Sequence, residues 1–217
     1  MNGLRTELAG PAPVLVWRFD EPVRAVSSAV LGGGVGPRRW ITNATVGFQY
    51  DDPDPEAHAA RIAVELGLDP SEGVGLLTAV DVARHTSAAD DGAEVVATTG
   101  LGAVTWAAAP DGNFHEWRPG TINIVAWVPE PLADAALVNL VATVAEAKAQ
   151  ALAEAGVPAT GTPTDAVVVC CPAGAAPDDD DHRYGGPRSR WGARVARAVH
   201  VAVLEGVDLD RARTRTW

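Results

Sequence analysis

The longest periodic segment of the chain covers residues 132–155 and is rich in alanine and leucine, which favour the α-helix. Gly156 follows directly and Pro158 comes shortly after, and this order is typical of a helix end. The next apolar segment, residues 166–171, has the length of a strand that is buried on both faces. The sequence therefore predicts a long helix close to a sheet that contains a buried strand.

Most other apolar segments have the length and composition of strands. They are short, rich in β-branched or aromatic residues, and bounded by glycine, proline or acidic residues. These predicted strands cover residues 13–19, 23–30, 39–46, 74–82, 94–99 and 121–128. Because short links separate the first three, they favour an antiparallel meander. Residues 100–120 contain several prolines and glycines and predict a loop.

Two further helices complete the expected fold, one at residues 55–66 after the N-cap Asp54 and one at residues 187–204. Strands that mostly precede helices, with partial alternation, predict an α+β (mixed α/β) fold. We expect a single domain, residues 1–217, with a mostly antiparallel or mixed sheet covered by helices. Residues 177–185 are expected to form an acidic surface loop and residues 207–217 a flexible C-terminal tail.

The composition excludes several classes of protein. A chain of 217 residues with 47% hydrophobic and 21% charged residues is typical of one globular domain. Its net charge of −11 argues against nucleic-acid binding, which needs Lys and Arg to neutralise phosphates. There is neither an uninterrupted apolar run of about 18 residues nor a secretory signal pattern, so no membrane association is expected. Cys170 and Cys171 are adjacent inside an apolar run, which suits a reducing compartment and predicts a cytoplasmic protein.

The chain contains a single lysine, Lys148, and this residue falls on the apolar face of the predicted long helix. That face consists of Leu137, Leu140, Val141, Val144, Ala151, Leu152 and Ala155. An ammonium group in such a position must reach solvent along its stem, pair with an acid, or lose its proton and become a base or nucleophile. Glu146 lies two positions away and cannot face the same pocket, so solvent exposure is its simpler interpretation.

The loop TGTPTD, residues 160–165, precedes the predicted buried strand and carries hydroxyl groups and a carboxylate. Functional groups are common at such positions, and Asp165 could orient a water molecule or accept its proton. The same side chains could instead hold the turn through bonds to the backbone. Both interpretations remain open for Thr164 and Asp165.

Two other features could bind a ligand. The segment SSAVLGGG, residues 27–34, leads a strand into a loop without side chains, where a ligand can approach the backbone closely. It does not match the glycine motifs that bind nucleotide phosphates. Asn43 and Asn123 place amides in strands where valine would be expected. They could bind a substrate amide or an oxyanion, or they could be satisfied within the core.

Other common catalytic arrangements are missing from the sequence. The five histidines have no HxxxH or HExxH spacing, so no metal site is predicted. A GxSxG motif is also absent, which argues against a standard α/β-hydrolase. Cys170 would need a distant histidine to act as a nucleophile, and both thiols are better explained as small buried apolar groups.

Several blocks of the sequence, taken in order, are more specific than any of these motifs. They are SSAVLGGG (27–34) with RRWITNATV after it, GLLTAVDV (75–82), VATTGLG (96–102), GTINIV (120–125), PLADAALVNLVATVAEAKAQAL (131–152) and TGTPTDAVVV (160–169). Together they resemble the adenosylcobinamide amidohydrolase family, and the resemblance extends over about residues 24–206.

The resemblance implies hydrolysis of the amide that joins the aminopropanol arm of adenosylcobinamide to its macrocycle. The products would be adenosylcobyric acid and 1-amino-2-propanol, and the acid would re-enter coenzyme B12 synthesis. The corrinoid would be the substrate, so no cofactor or protein-bound metal is expected. A large apolar ring fringed with amides suits a pocket of glycine-rich loops, with Trp40 or Trp106 as walls. A homo-oligomer remains open.

Matching blocks also imply a set of site residues without assigning their roles. The candidates for catalysis are Lys148, Asp165, Thr164 and Glu146. The candidates for substrate binding are Ser27, Ser28, Gly33, Gly34, Asn43 and Asn123. The expected chemistry is attack by water or a hydroxyl group assisted by Lys148 or Asp165, with Asn123 or loop amides stabilising the oxyanion.

Two alternative functions remain open. One is a corrinoid-binding protein without catalytic activity. The other is a hydrolase of a different amide, because Ala103 and residues 188–191 depart from the usual pattern of the family.

Overall fold

A computed structural model of the chain describes residues 4–110 and 120–214, which form one eight-stranded sheet and four α-helices. The strands are β1 (Leu4–Ala9), β2 (Ala12–Ser27), β3 (Gly34–Thr45), β4 (Gly73–Thr78), β5 (Thr86–Asp90), β6 (Ala93–Thr99), β7 (Ile122–Trp127) and β8 (Ala166–Pro172). The helices are α1 (Pro55–Glu65), α2 (Asp134–Glu154), α3 (Asp180–Arg183) and α4 (Arg190–Thr214). The predicted α+β (mixed α/β) fold is confirmed.

The strands follow the order β4-β3-β2-β8-β7-β6-β5, and β1 pairs with β2 at the side. The β3–β4 and β7–β8 pairs are parallel, whereas the other pairs are antiparallel. Parallel neighbours need a crossover connection, and here α1 joins β3 to β4 while α2 joins β7 to β8. The chain therefore contains two βαβ units, which the β2–β8 pairing joins into one sheet.

The long strand β2 connects two halves of the sheet, β1–β4 and β5–β8. Its first part pairs with β1 and β3, and its last part pairs with β3 and β8 after an irregularity between Arg18 and Val23. Apolar residues of both halves share one buried core, including Leu15 and Ile41 from the first half and Val125 and Val168 from the second. We call this region the inter-sheet core.

Helices cover the outer faces of both half-sheets. The apolar face of α2 is buried, as predicted, and it shares a second core with the α4 residues Trp191, Val195 and Val199. On the other side, α1 packs on the first half-sheet through Ala59 and Ile62. The layers are thus α1, the first half-sheet, the second half-sheet and the α2–α4 pair. None of the described helices is long and apolar enough to cross a bilayer.

The strand predictions need three corrections. The segments predicted as separate strands at 13–19 and 23–30 are one strand, β2, which ends at Ser27 and is the middle strand of the antiparallel meander β1–β2–β3. The break at residues 20–22 shifts the pairing register without reversing the chain. The strand predicted at 74–82 ends at Thr78. Strands β1 and β5 were not predicted, because both are short and contain several polar residues.

The C-terminal half also differs from expectation. The last helix continues to Thr214, because its later turns still bury apolar side chains such as Val207, so residues 207–214 of the predicted tail are helical. The acidic segment 177–185 contains the short helix α3 and buries His182. The rest of the predicted tail, residues 215–217, and residues 111–119 of the predicted loop lie outside the described part of the chain.

Candidate active site

A cavity of about 1390 Å³ opens at one end of the space between the two half-sheets. Its volume exceeds the ~300–1,000 Å³ that is usual for sites of drug-sized ligands. Five parts of the chain form its wall: the β2–β3 turn, the β3–α1 segment, the end of β4, the loop after β6 and the residues around the β7 and β8 starts. Much of the wall is apolar, with Val30, Val46, Leu76, Leu77 and Val104 among its residues.

Thr164 is a predicted catalytic residue that reaches this cavity. Its Oγ1 lies 2.6 Å from Oγ1 of Thr121, which also lines the cavity, and 3.4 Å from the carbonyl oxygen of Gly120. No carboxylate or imidazole of the described residues is hydrogen-bonded to this hydroxyl pair. The pair is therefore suited to binding a polar group of a ligand, and it lacks the adjacent base that a hydroxyl nucleophile needs.

Lys148 and Asp165 lie behind the cavity wall as a nearly buried ion pair, with side chains that are 12% and 10% exposed. The Asp165 carboxylate also accepts hydrogen bonds from the Ile122 backbone N–H at 2.8 Å, the Thr162 N–H at 3.0 Å and the Thr162 hydroxyl at 2.5 Å. Neither member of the pair lines the cavity. Of the three possibilities for Lys148, pairing with an acid is the one observed, and the pair fixes the loop that carries Thr164.

Asn123 lines the cavity and belongs to a hydrogen-bonded network that joins the two half-sheets. Its Nδ2 donates to Oδ1 of Asn43 at 3.0 Å and to the Leu77 carbonyl oxygen at 2.9 Å, while Asn43 donates to the Thr98 hydroxyl at 3.0 Å. Because a carbonyl can only accept, Leu77 fixes the orientation of the Asn123 amide. Both Nδ2 hydrogens are thus engaged, which removes Asn123 as the expected oxyanion donor.

The side-chain oxygen Oδ1 of Asn123 is left without a hydrogen-bond partner among the described residues, although it is buried. Leaving a buried acceptor unpaired costs about 1–3 kcal/mol. This oxygen has almost no accessible surface, so it is closed off from a ligand in the cavity as the structure stands. Asn123 therefore acts through its Nδ2 group, which joins the two half-sheets.

The two predicted serines have different positions. The Ser28 hydroxyl oxygen accepts a hydrogen bond from the Val167 backbone N–H at 3.0 Å, and the residue lines the cavity. Ser27 is buried, and its hydroxyl oxygen accepts from the backbone N–H of Ala29 at 3.0 Å, which caps the turn after β2. Of the two, only Ser28 is placed to contact a ligand.

Three other predicted site residues do not line the cavity. Glu146 is exposed in a separate groove bounded by α2, α4 and β5. Gly33 and Gly34 lie in the β2–β3 turn beside Gly32, whose φ of +72° would be unfavourable for other residues. A Cβ on Gly32 would lie 2.0 Å from the carbonyl oxygen of Gly73, so this glycine permits close contact between the turn and β4.

The expected tryptophan walls are also absent from the lining. Trp40 is 2% exposed and donates from Nε1 to the carbonyl oxygen of Asp69. Trp106 is largely exposed but lies outside the cavity wall. The thiols of Cys170 and Cys171 are free and buried, and burial raises the pKa of both, as expected for small apolar groups without a nucleophilic role.

The segment between β3 and α1 contributes cavity residues that the sequence analysis missed. Tyr50, Asp51 and Asp52 all line the cavity. The Tyr50 hydroxyl lies 3.1 Å from Nδ1 of His58, and the two rings are stacked with centroids 5.3 Å apart. The sequence places a tyrosine and a histidine on either side of the N-cap residue of a predicted helix, but this spacing belongs to no motif that would indicate a site.

Asp52 is held by its neighbours. Its Oδ1 accepts from the backbone N–H of Asp54 at 2.9 Å, and its Oδ2 accepts from Arg61 at 2.6 Å. The bond from the Asp54 N–H, with a smaller contribution from Arg61, lowers the pKa of Asp52. A carboxylate with a lowered pKa is a weak base. Of the two acidic side chains in the described part of the cavity wall, Asp51 is the exposed one without such partners, which makes it the candidate for accepting a proton.

Comparison with known proteins identifies the family. The family model described as adenosylcobinamide amidohydrolase matches residues 3–215. The chain belongs to this family. The resemblance seen in the sequence blocks is confirmed, and the adenosylcobinamide amidohydrolase match covers every residue of the cavity wall described above.

Two relatives carry the same name as the family. The adenosylcobinamide amidohydrolase of Methanosarcina mazei is 31% identical over 192 residues, which cover 85% of this chain and 90% of the relative. That of Halobacterium salinarum is 43% identical over 104 residues, which cover 46% of this chain and 42% of the relative. A solved structure from Pyrococcus horikoshii OT3 has a TM-score of 0.41 and 13% identity, with 96% of this chain and 82% of that one covered, and contributes nothing to the assignment.

Proposed function

We propose that the chain hydrolyses the amide between the aminopropanol arm and the macrocycle of adenosylcobinamide, giving adenosylcobyric acid and 1-amino-2-propanol. The family match over residues 3–215 carries this proposal. The cobalt ion arrives as part of the substrate, so the proposal includes no metal or cofactor held by the protein. It also requires no nucleic acid or membrane, and it does not depend on the oligomeric state.

The cavity between the half-sheets supports this substrate class. It is larger than a usual small-ligand site, and residues such as Val30, Leu76 and Val104 give it an apolar wall suited to a macrocycle. Polar side chains line both sides of the cavity, with Tyr50 and Asp51 on the first half-sheet side and Thr121 and Thr164 on the second. Polar groups set in a partly apolar wall can orient a ring whose edge carries amides.

Hydrolysis of an amide needs a nucleophile, a proton acceptor for it, and donors that stabilise the oxyanion. Among the described residues no base is hydrogen-bonded to Thr164, and the Lys148–Asp165 pair is saturated behind the wall. We therefore assign the attack to a water molecule, and we assign to Asp51 the acceptance of its proton. The ion pair is a positioning device, because it holds the loop that presents Thr164 to the substrate.

Incubation of the purified chain with adenosylcobinamide tests the proposal, with mass analysis of both products. The wild-type chain is expected to release 1-amino-2-propanol, and Asp51→Asn is expected to lower kcat by about 10²-fold or more, as loss of a general base does. Glu146→Gln is the matched control, because it removes a carboxylate from the separate groove, and it should leave kcat unchanged.

Other outcomes would identify the alternatives. Binding that changes the visible spectrum without release of aminopropanol would indicate a corrinoid-binding protein. Failure to bind a corrinoid, together with cleavage of another amide, would indicate a hydrolase with a different substrate. Either result would overturn the proposed function.

A further inference from the structure

We propose that Tyr50 donates a hydrogen bond to the carbonyl oxygen of the scissile amide as this oxygen becomes an oxyanion, and that His58 orients the Tyr50 hydroxyl for this purpose. The proposal rests on the proposed function, because it assigns roles within the same cavity. It makes Tyr50 a catalytic residue, since it would touch the reacting group, and His58 a positioning residue, since it would act through Tyr50.

Stabilisation of the oxyanion needs a hydrogen-bond donor, and the sequence had suggested Asn123 or loop amides for this role. Asn123 cannot supply it, because its two Nδ2 hydrogens are bound to Asn43 and to the Leu77 carbonyl oxygen. Among the described side chains of the cavity wall, Tyr50 carries an O–H group that is paired with a histidine ring instead of a backbone carbonyl. The direction in which its hydroxyl donates therefore depends on the tautomer of that ring.

The start of α1 holds both rings in place. The Asp54 carboxylate caps the helix by accepting from the Ala57 N–H at 2.9 Å, and Pro55 occupies the first turn. His58 is fixed in that turn because its N–H donates to the Asp54 carbonyl oxygen at 3.0 Å. Tyr50 closes a turn of its own, since its N–H donates to the Gly47 carbonyl oxygen at 3.0 Å. The stacked rings are thus anchored from both sides.

The direction of the bond between the rings decides what Tyr50 can do. When His58 carries a proton on Nδ1, it donates to the Tyr50 oxygen, and the tyrosine O–H is free to turn into the cavity. When the His58 proton is on Nε2 alone, Nδ1 is an acceptor and the tyrosine O–H is occupied. A substrate carbonyl in the cavity can only accept, so its binding favours the tautomer with a proton on Nδ1.

The surroundings of Tyr50 keep its hydroxyl protonated. Burial raises its pKa, and the nearby Asp52 and Asp54 raise it further, while Arg61 opposes them. A neutral phenol is a hydrogen-bond donor, whereas a phenolate is not. The environment therefore suits a donor to a developing negative charge.

Tyr50→Phe tests the donor, because it keeps the stacked ring and removes the hydroxyl. Loss of one oxyanion donor lowers kcat by about 10²–10³-fold, so we expect that decrease, with the affinity for adenosylcobinamide nearly unchanged. His58→Phe keeps the stack and removes the Nδ1 group, and it should lower kcat less. In the double variant, kcat should equal that of Tyr50→Phe alone, because His58 would act only through Tyr50.

The outcomes separate this proposal from the function on which it rests. If the wild-type chain is active and Tyr50→Phe keeps the full kcat, the roles of Tyr50 and His58 are overturned while the proposed function stands. The same follows if the fold-loss of kcat in the double variant equals the product of the losses in the two single variants. No product from the wild-type chain would overturn the proposed function and the assigned roles with it. Nitrogen-15 NMR of His58 with adenosylcobinamide bound gives a test independent of turnover: Nδ1 should carry a proton, and protonation at Nε2 alone would refute the orienting role.

Discussion

Replacement of Lys148 by methionine keeps the length and the apolar stem of the side chain but removes the charge that balances Asp165. The two side chains are 12% and 10% exposed, so the pair is close to a buried one. Removing one member of a buried pair costs about 3–5 kcal/mol, because the other charge stays buried. Asp165 keeps its bonds from the Ile122 N–H and from Thr162, so we expect a loss near the lower limit, about 3 kcal/mol.

Urea unfolding followed by tryptophan fluorescence measures this loss in the free energy of unfolding. Arg24→Met is the matched control, because the Arg24–Asp134 pair has side chains that are 38% and 56% exposed. An exposed pair contributes about 0–1 kcal/mol, so the control should lose little stability. Adding Asp165→Asn to Lys148→Met should recover part of the loss, since no charge then remains buried. A loss as small as that of Arg24→Met would refute the interpretation of the pair as buried.

Lys148→Met also separates two roles that the sequence left open for Lys148, namely positioning and direct catalysis. A positioning role predicts reduced stability together with a partial loss of kcat, because the Thr164 loop loses one of its supports. A direct role as base or nucleophile predicts that turnover collapses while stability stays at the wild-type level. The second result would contradict the assignment of attack to a water molecule.

Two further predictions concern parts of the chain outside the cavity. Hydrogen bonds to Asp179 and then Glu130 raise the pKa of His182, so its stabilising effect is complete below its unfolded pKa of about 6.5 and is lost as pH rises through the folded pKa. His182→Gln should therefore lower the free energy of unfolding most at about pH 6, by ~1–3 kcal/mol, and least in alkaline solution; a difference that grows with pH would contradict this sign. Cys170 and Cys171 are fully buried and should react with a thiol reagent only as fast as the chain unfolds, so rapid labelling of the native chain would refute their burial.

Local sequence signals predicted α1, α2 and the buried strand β8 well. Asp54 and Pro55 fix the start of α1 through backbone geometry that those residue types prefer, and the periodic apolar face of α2 needs a partner wherever it lies in the fold. The single strand β2 could not be predicted in the same way. Residues 20–22 look like a turn locally, and only pairing with β3 and β8 keeps the chain extended through them.

The candidate site was predicted only in part, because some of its contacts also join segments that are distant in the sequence. Ser28 follows β2, Asn123 lies near the start of β7 and Thr164 precedes β8. The fold brings these strand ends to a common opening, and all three residues line the cavity. Tyr50 and His58 could not be recognised, because their relation depends on a stack formed across a helix start. Charge and spacing also could not show that Lys148 would meet Asp165 behind the wall.

The polar residues in the strands explain why a cavity exists at this end of the inter-sheet core. Along the facing surfaces of the two half-sheets, residues such as Ile41 and Val125 pack closely. Asn43 comes two positions after Ile41 in β3, and Asn123 comes two positions before Val125 in β7. Amides here bond across the gap to each other, to Thr98 and to a strand carbonyl, and they cannot interdigitate as apolar side chains do. Valine at position 123 would leave the Leu77 carbonyl oxygen without the Asn123 donor and would remove the hydrogen bond between the two amides. The same hydrogen bonds therefore join the half-sheets and form part of the wall on which the substrate would bind.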